Sequence, residues 1–196
     1  MALDTKLITK IRQSTGAGVN DVRNALEEAG NNEDKAIEIL RKKGASKAAK
    51  KMAERTTGEG VVHSYIHANG KIGSMVQLQC ETDFVARNED FQVLAHDIAM
   101  HIAAATPQYL KPEDVPAEIL DKEKEIYAEQ LKAEGKPKNM LDKILAGKLE
   151  KFYTEVCLLK QPFVKDDKVT IEKLIEQAVA KLGEKIEVVN FTRFQI

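Results

Sequence analysis

Cys80-Glu81-Thr82-Asp83-Phe84-Val85-Ala86-Arg87-Asn88 is the stretch on which the reading of this chain turns. Behind it, Ile72 to Cys80 alternates with the period of a half-buried strand. Ahead of it, Phe91, Leu94, Ala95, Ile98, Ala99, Ile102 and Ala103 fall on one helical stripe, the clearest period in the chain. The stretch is therefore a strand-to-helix junction, and the two periods side by side predict an α+β fold. Thr82 reads as an N-cap whose hydroxyl accepts an N–H of the next turn, and Asn88 as the cap of the long helix. Phe84, a large aromatic, stands between an acid and a β-branched residue. Either it is tucked into the core behind a capped turn, or the turn presents it outward.

Working outward, Val61 to His67 is a second strand, and Asn69-Gly70 predicts a two-residue type I′ hairpin between the two. That register sets Val61 opposite Leu78, His63 opposite Val76 and His67 opposite Ile72. The tail, Lys185 to Ile196, is β-branched and aromatic and reads as a third strand. The result is a small antiparallel sheet packed with helices. Its strands are not one-sided. Val62, Ile66 and Met75 oppose the face of Val61, Val76 and Leu78, while Ile186, Val188, Phe194 and Ile196 alternate with Val189 and Phe191. One face packs on helices and the other needs a cover. A homodimer through the sheet and C-terminal strand is expected, because a two-fold interface uses one patch twice.

Upstream, three short helices are expected. Leu3, Leu7, Ile8 and Ile11 share a face; Val19, Val22, Ala25, Leu26 and Ala29 form a second stripe stopped by Gly30. Asn32 then caps a third, with Ala36, Ile37 and Leu40, that Gly44 ends. Such a bundle resembles the ubiquitin-associated (UBA) type. Arg41, Lys42, Lys43, Lys47, Lys50, Lys51 and Arg55 follow as a basic helical linker, read as a solvated charged face. Thr56 to Gly60 marks a boundary, giving a helical module over 1–55 and an α+β core over 56–196. Downstream, Pro116 opens a helix ended by Gly135, Pro137 a shorter one ended by Gly147, and Leu149 to Val156 forms a third. Gln161 to Asp167 reads as a loop, and Ile171 to Leu182 as a last helix closed by Gly183.

The chemistry points away from an enzyme. His63, His67, His96 and His101 show no His-x-x-x-His spacing, and the two cysteines, Cys80 and Cys157, are far apart. No metal or cofactor is expected from that inventory. Both thiols read as buried side chains of a reducing compartment. Gly16-Ala17-Gly18 lacks the Lys-Ser/Thr of a phosphate loop and follows a helix rather than a strand. The net charge is −1 and no aromatic interrupts the basic stretch, so direct nucleic-acid binding is not expected. No apolar run among the 196 residues approaches the roughly 20 that span a membrane. The start, Met1-Ala2-Leu3-Asp4-Thr5, has no secretory pattern, and a cytoplasmic protein is expected. What remains is a binding protein: a helical module joined to a core that displays one conspicuous turn.

Four motifs carry a resemblance to a known family. Thr15-Gly16-Ala17-Gly18 with Asp21-Val22 and Ala25-Leu26, Lys47-Ala48-Ala49-Lys50-Lys51, Glu81-Thr82-Asp83-Phe84-Val85-Ala86 and Gln161-Pro162-Phe163-Val164 occur in this order. Together they resemble the elongation factor Ts family, the guanine-nucleotide exchange factors of elongation factor Tu. The resemblance implies a protein that promotes GDP release without covalent chemistry. It implies that the turn Thr82, Asp83, Phe84 and Val85 displaces the partner's Mg²⁺, with Phe84 as a wedge. It implies that the N-terminal module docks on the same partner domain, through Gly16, Ala17, Gly18 and Val19. Longer family members carry a duplicated core, and often a helical hairpin; here a second core copy is not readable. The competing reading is an adaptor that uses the helical module alone, in which Thr82 to Val85 is a buried core turn.

Overall fold

The structure, a computed structural model, describes residues 5–133 and 138–196. Its first three elements are α1 (Thr5–Thr15), α2 (Val19–Glu28) and α3 (Glu33–Glu54). Ile11, Val22, Ala25, Leu26, Ala36 and Leu40 close on one another as a core of their own. α2 ends with crossed bonds, Gly30 N–H to Glu27 O and Asn31 N–H to Leu26 O, the Schellman arrangement. Asn32 caps α3 through its Oδ1, which accepts the Lys35 N–H at 3.0 Å. Gly44 does not end that helix. α3 runs on to Glu54, so the stretch expected as a separate linker is its second half. An interior glycine costs only about 1 kcal/mol against alanine, and the Ala- and Lys-rich flanks sustain the helix through it. A Cβ at Gly44 would lie 3.4 Å from Ala180 Cβ.

The sheet follows: β1 (Glu59–Ile66), β2 (Ile72–Cys80) and, from the chain end, β5 (Glu187–Gln195), with β2 in the centre. The His67 N–H donates to Ile72 O over 2.9 Å, the pair the sequence register predicts. The turn between them is not type I′. Gly70 N–H bonds back to His67 O at 2.7 Å, so the chain reverses through Ala68 and Asn69. A type I′ turn needs positive φ at both Asn69 and Gly70; of the two only Gly70 has it, at +68°. Asn69 instead accepts the Lys71 N–H on its side chain at 3.0 Å, a local turn bond that competes with the I′ geometry. At the other end of the hairpin glycine is obligatory. Gly60 has φ +150°, and a Cβ there would sit 2.2 Å from Leu78 O. Ile196 N–H reaches Lys71 O, while Thr57 bonds both Gln79 and Glu187; β5 therefore runs antiparallel to β2.

The expected alternation holds in β1 and β2, where Val76 and Leu78 are buried and Val62, Ile66 and Met75 exposed. In β5 it changes phase. Ile186 and Val188 are buried, yet Phe194 and Ile196, of the same parity, are exposed. Arg193 instead points to the helix side, its Nε donating to Ala103 O at 3.0 Å. The Phe191 N–H is taken by its neighbour's Asn190 Oδ1 at 2.8 Å, where the phase changes.

Between β2 and β5 lie α4 (Asp83–Ala86), α5 (Glu89–Ala105), α6 (Ala117–Ala133), α7 (Lys138–Val156), β3 (Pro162–Phe163), β4 (Asp166–Thr170) and α8 (Ile171–Leu182). α5 buries the predicted stripe, and Asn88 caps it by accepting the Asp90 N–H at 2.9 Å. α7 is one helix through Gly147, where the sequence predicts a stop; the expected punctuation at Gly135 and Pro137 lies outside the described residues. α6 and α7 pair antiparallel, with Lys148 on Gln130 and over the Tyr127 ring, and Phe152 in a cluster with Val115 and Cys157. A helical hairpin is thus present in this chain. The segment read as a loop forms the short antiparallel ladder β3–β4.

Two compact units emerge. One takes in the chain up to His63 with Val76–His96 and Lys173–Val189; the other takes in Ser64–Met75, Asp97–Glu172 and Asn190–Ile196. The second is organised round a buried polar knot. Gln161 donates its amide to Glu155 O at 2.8 Å and Ala105 O at 3.4 Å, which turns its Oε1 to His101 Nε2 at 2.9 Å. His101 Nδ1 accepts the Val164 N–H at 3.3 Å. Every polar atom is satisfied with the imidazole neutral and its proton on Nε2. The fold is mixed α+β, helices and small antiparallel sheets together.

Candidate functional site: an exposed aromatic on a clasped turn

The junction between β2 and α5 is a single helical turn. α4 follows Thr82, whose backbone is extended at φ −130° and ψ 156°. Ala86 is buried and anchors the far end, where its carbonyl accepts the Gln92 amide at 2.6 Å. Phe84 is 85% exposed. A phenylalanine in that position has given up the burial that usually places this residue type, so the turn displays it.

Thr82 occupies the cap position but makes no cap bond. Its hydroxyl donates to Glu184 Oε1 at 2.7 Å, and its N–H donates to Glu184 Oε2 at 3.0 Å. The Glu81 N–H reaches the same Oε2 at 3.2 Å. The hydroxyl is turned to that carboxylate, a strong charge-assisted acceptor, and its oxygen accepts no N–H of the following turn, so the expected cap does not form. Glu81 answers in kind. Its Oε1 accepts the Lys185 N–H at 2.6 Å, and Arg55 Nη1 bonds both its oxygens at 3.0 and 3.2 Å. Burial works against ionisation of Glu81, but the Lys185 N–H, Arg55 and Lys51 outweigh it and hold the carboxyl below its ordinary range. Lys51 Nζ also donates to Gly183 O. Burial, then the neighbouring Arg55 charge, draws its pKa down.

Behind the turn, the Cys80 thiol is buried and donates to Thr82 O at 3.1 Å. Burial, with the Glu184 charge, pushes it up to about 11. It is a protonated structural thiol, not a nucleophile. Asp83 meets Arg87 at 3.1 Å across an exposed helical turn, a pair of small energetic weight. Val85 is half-buried and Thr82 exposed.

The second candidate set, Gly16, Ala17, Gly18 and Val19, lies in the loop that starts α2. Gly16 packs so closely on Lys181 that a Cβ would stand 2.9 Å from its Cγ. Ala17 donates to Thr15 Oγ1 at 3.3 Å, Gly18 takes the cap position of α2 and Val19 is 43% exposed. The two sets meet one segment. Lys181 receives Gly16 and pairs with Asp90 at 2.7 Å, and Glu184 and Lys185 grip Glu81 and Thr82.

Sequence reasoning does not find Glu184, Lys185, Arg55 or Lys51. Lys51 and Arg55 read as part of a solvated face, yet both hold the junction, and Lys43 and Lys47 pair with Glu28 and Asp21. Of the histidines, His63 meets His96 edge-on at 3.2 Å, and His67 meets the Tyr65 hydroxyl at 3.2 Å. Among the described residues no three of His, Cys, Asp and Glu gather as a ligand set, and none of the helices is long and apolar enough to cross a membrane.

Comparison with known proteins agrees with the four motifs. The family model described as Elongation factor TS matches residues 2–196. Elongation factor Ts of Fervidobacterium nodosum is 55% identical over 196 residues, covering 100% of this chain and 99% of that protein. The Thermosipho melanesiensis protein of the same name is 53% identical, with 99% and 98% covered. That of Thermotoga petrophila is 50% identical, with 100% and 97% covered. With the motifs in order and the match running end to end, the chain belongs to the elongation factor Ts family.

Proposed function

We propose that this protein is a guanine-nucleotide exchange factor that binds elongation factor Tu carrying GDP, displaces its Mg²⁺ and promotes GDP release during translation in the cytoplasm. The observation that carries this is the exposure of Phe84 on a turn fixed from behind by Glu184 and Glu81. Such a side chain enters a partner at little cost, because its turn is already ordered. Mg²⁺ bridges phosphate oxygens and protein ligands in GTPases, so disturbing its surroundings weakens the nucleotide. The linkage is reciprocal: bound nucleotide weakens binding of the factor by the same amount. No bond of the nucleotide is made or broken, and the protein is not an enzyme in that sense.

A thousandfold weakening of GDP needs about 4 kcal/mol, whereas burying one Phe contributes about 1.5–3 kcal/mol. Thr82, Asp83 and Val85 therefore act with Phe84, and the module over 1–55 docks through Gly16, Ala17, Gly18 and Val19 to hold the turn in place. The core over 56–196 contributes the remaining grip as a homodimer joined through the sheet and its C-terminal strand. The adaptor reading needs a buried Thr82–Val85 turn, and the exposure of Phe84 weighs against it. The direct experiment is release of fluorescent GDP from elongation factor Tu with and without this protein. Acceleration at catalytic amounts is expected; an unchanged rate at saturating concentration refutes the assignment.

A further inference from the structure

We infer that Glu184 is a positioning residue for exchange: from the α8–β5 junction it sets the pose in which Phe84 meets the partner. The inference deepens the reading above and rests on it. The far end of the turn is anchored by Ala86, but its near end has few holds of its own beyond the Cys80 thiol on Thr82 O. Its cap position is unused by its side chain, and its ion pair, Asp83 with Arg87, is exposed. Glu184 supplies what is missing. One carboxylate takes the Glu81 N–H, the Thr82 N–H and the Thr82 hydroxyl. Three donors on two consecutive residues define both the direction and the roll of the chain as it enters α4, which a single bond does not.

The clasp is reciprocal. Glu81, one residue before the turn, takes the Lys185 N–H, one residue after Glu184. The two acidic side chains thus cross, each satisfying backbone donors beside the other. Arg55 neutralises Glu81 from the end of α3, and Lys51 holds the Gly183 carbonyl just before Glu184. The three-helix module is therefore tied to the same point that fixes Phe84, and Glu184 is the member that touches the turn itself.

The test is a double-mutant cycle on GDP release from elongation factor Tu, using the full chain and the variants Glu184→Ala, Phe84→Ala and the pair. Glu184→Ala is expected to lower the maximal release rate about tenfold, with less change in the concentration that gives half the maximum. In the Phe84→Ala background the same substitution is expected to change little, because a residue that acts through Phe84 has nothing left to position. Glu184→Gln, whose amide oxygen still accepts, should restore most of the rate. In the free protein, Glu184→Ala should speed hydrogen exchange of the Glu81 and Thr82 amides more than that of the α5 amides, which report global opening. If Glu184→Ala does not fold, the cycle is run with Glu184→Gln, for which a partial loss that vanishes without Phe84 is expected. A wild-type rate in the Glu184 variant beside a slow Phe84→Ala overturns the positioning role alone. Equal slowing by Glu184→Ala with and without Phe84 also overturns it. A wild-type rate in Phe84→Ala removes the wedge reading and this inference with it.

Discussion

Replacing Phe84 by alanine separates display from packing. Phe84 is 85% exposed, whereas Phe91, seven residues on, is fully buried. Folding therefore takes little from Phe84, and Phe84→Ala should move stability by no more than about 0.5 kcal/mol. Phe91→Ala should cost about 3–5 kcal/mol by opening a cavity. On a partner the position reverses. Nearly all of the ring's surface is still available to be covered, so about 1.5–3 kcal/mol is at stake, a factor of roughly ten to a hundred. Stopped-flow release of fluorescent GDP from elongation factor Tu, over a range of factor concentrations, gives the maximal rate and the half-saturating concentration separately. A wedge acts as the nucleotide leaves, so the maximal rate should fall by that factor. A contact made equally before and during release would raise only the half-saturating concentration. An unchanged maximal rate, with the melting curve intact, refutes the wedge.

Three further outcomes are expected. Removing residues 1–55, which ends the cut at the close of α3, should leave a folded core that binds elongation factor Tu weakly and exchanges poorly; full exchange by the truncated chain would show the module to be a cap. Phe194→Asp should convert a dimer into a species near 21.8 kDa in sedimentation equilibrium at micromolar concentration and reduce exchange with it. Phe194 is the better place for that charge, since it is exposed where Phe191 is half-buried; an unaltered protein already at the monomer mass refutes the dimer. His101 should make the protein acid-sensitive. Burial holds its pKa below the ordinary 6.5 against the opposing Gln161 bond, so the unfolded chain binds the proton more readily. Stability is then full above about pH 6.5 and falls as pH drops below it towards the folded value. Melting curves between pH 7.5 and 5 should show that slope, and His101→Leu should flatten it at a lower overall midpoint. His63, depressed by burial and by His96, accounts for a residual slope; one as steep as in the unaltered protein refutes the His101 assignment.

What the sequence discloses here is what is local. The α5 stripe, the Asn32 cap and the His67–Ile72 pair depend on neighbours within a few residues, where period and capping chemistry operate. Glycine misleads at Gly44 and Gly147 because the same residue that ends a helix is tolerated inside one when its flanks are strong helix formers. The β3–β4 ladder is too short to show a period. Phe84 is conspicuous as a residue type, but its exposure is not, since a buried ring and a displayed ring read alike. Glu184 is beyond reach for a different reason. It meets Thr82 across 102 positions, and nothing near Glu184 distinguishes it from the other acids of the chain. Thr82 itself reads as a cap because Thr before a helical turn usually is one; a distant carboxylate takes its hydroxyl instead.

The continuity of α3 makes it a ruler. Its 22 residues span about 33 Å. Ala36 and Leu40 near one end belong to the first core, while Lys51 and the adjoining Arg55 at the other hold Gly183 and Glu81. A loop in that place would absorb a gained or lost residue. A helix converts it into rotation: one residue inserted after Leu40 turns everything beyond it by about 100° and advances it about 1.5 Å. Arg55 would then face away from Glu81 while the first core stayed whole. Adding two full turns restores the phase but carries Arg55 about 10 Å too far. Between Leu40 and Arg55 the number of residues is therefore itself a specification, whatever their identities.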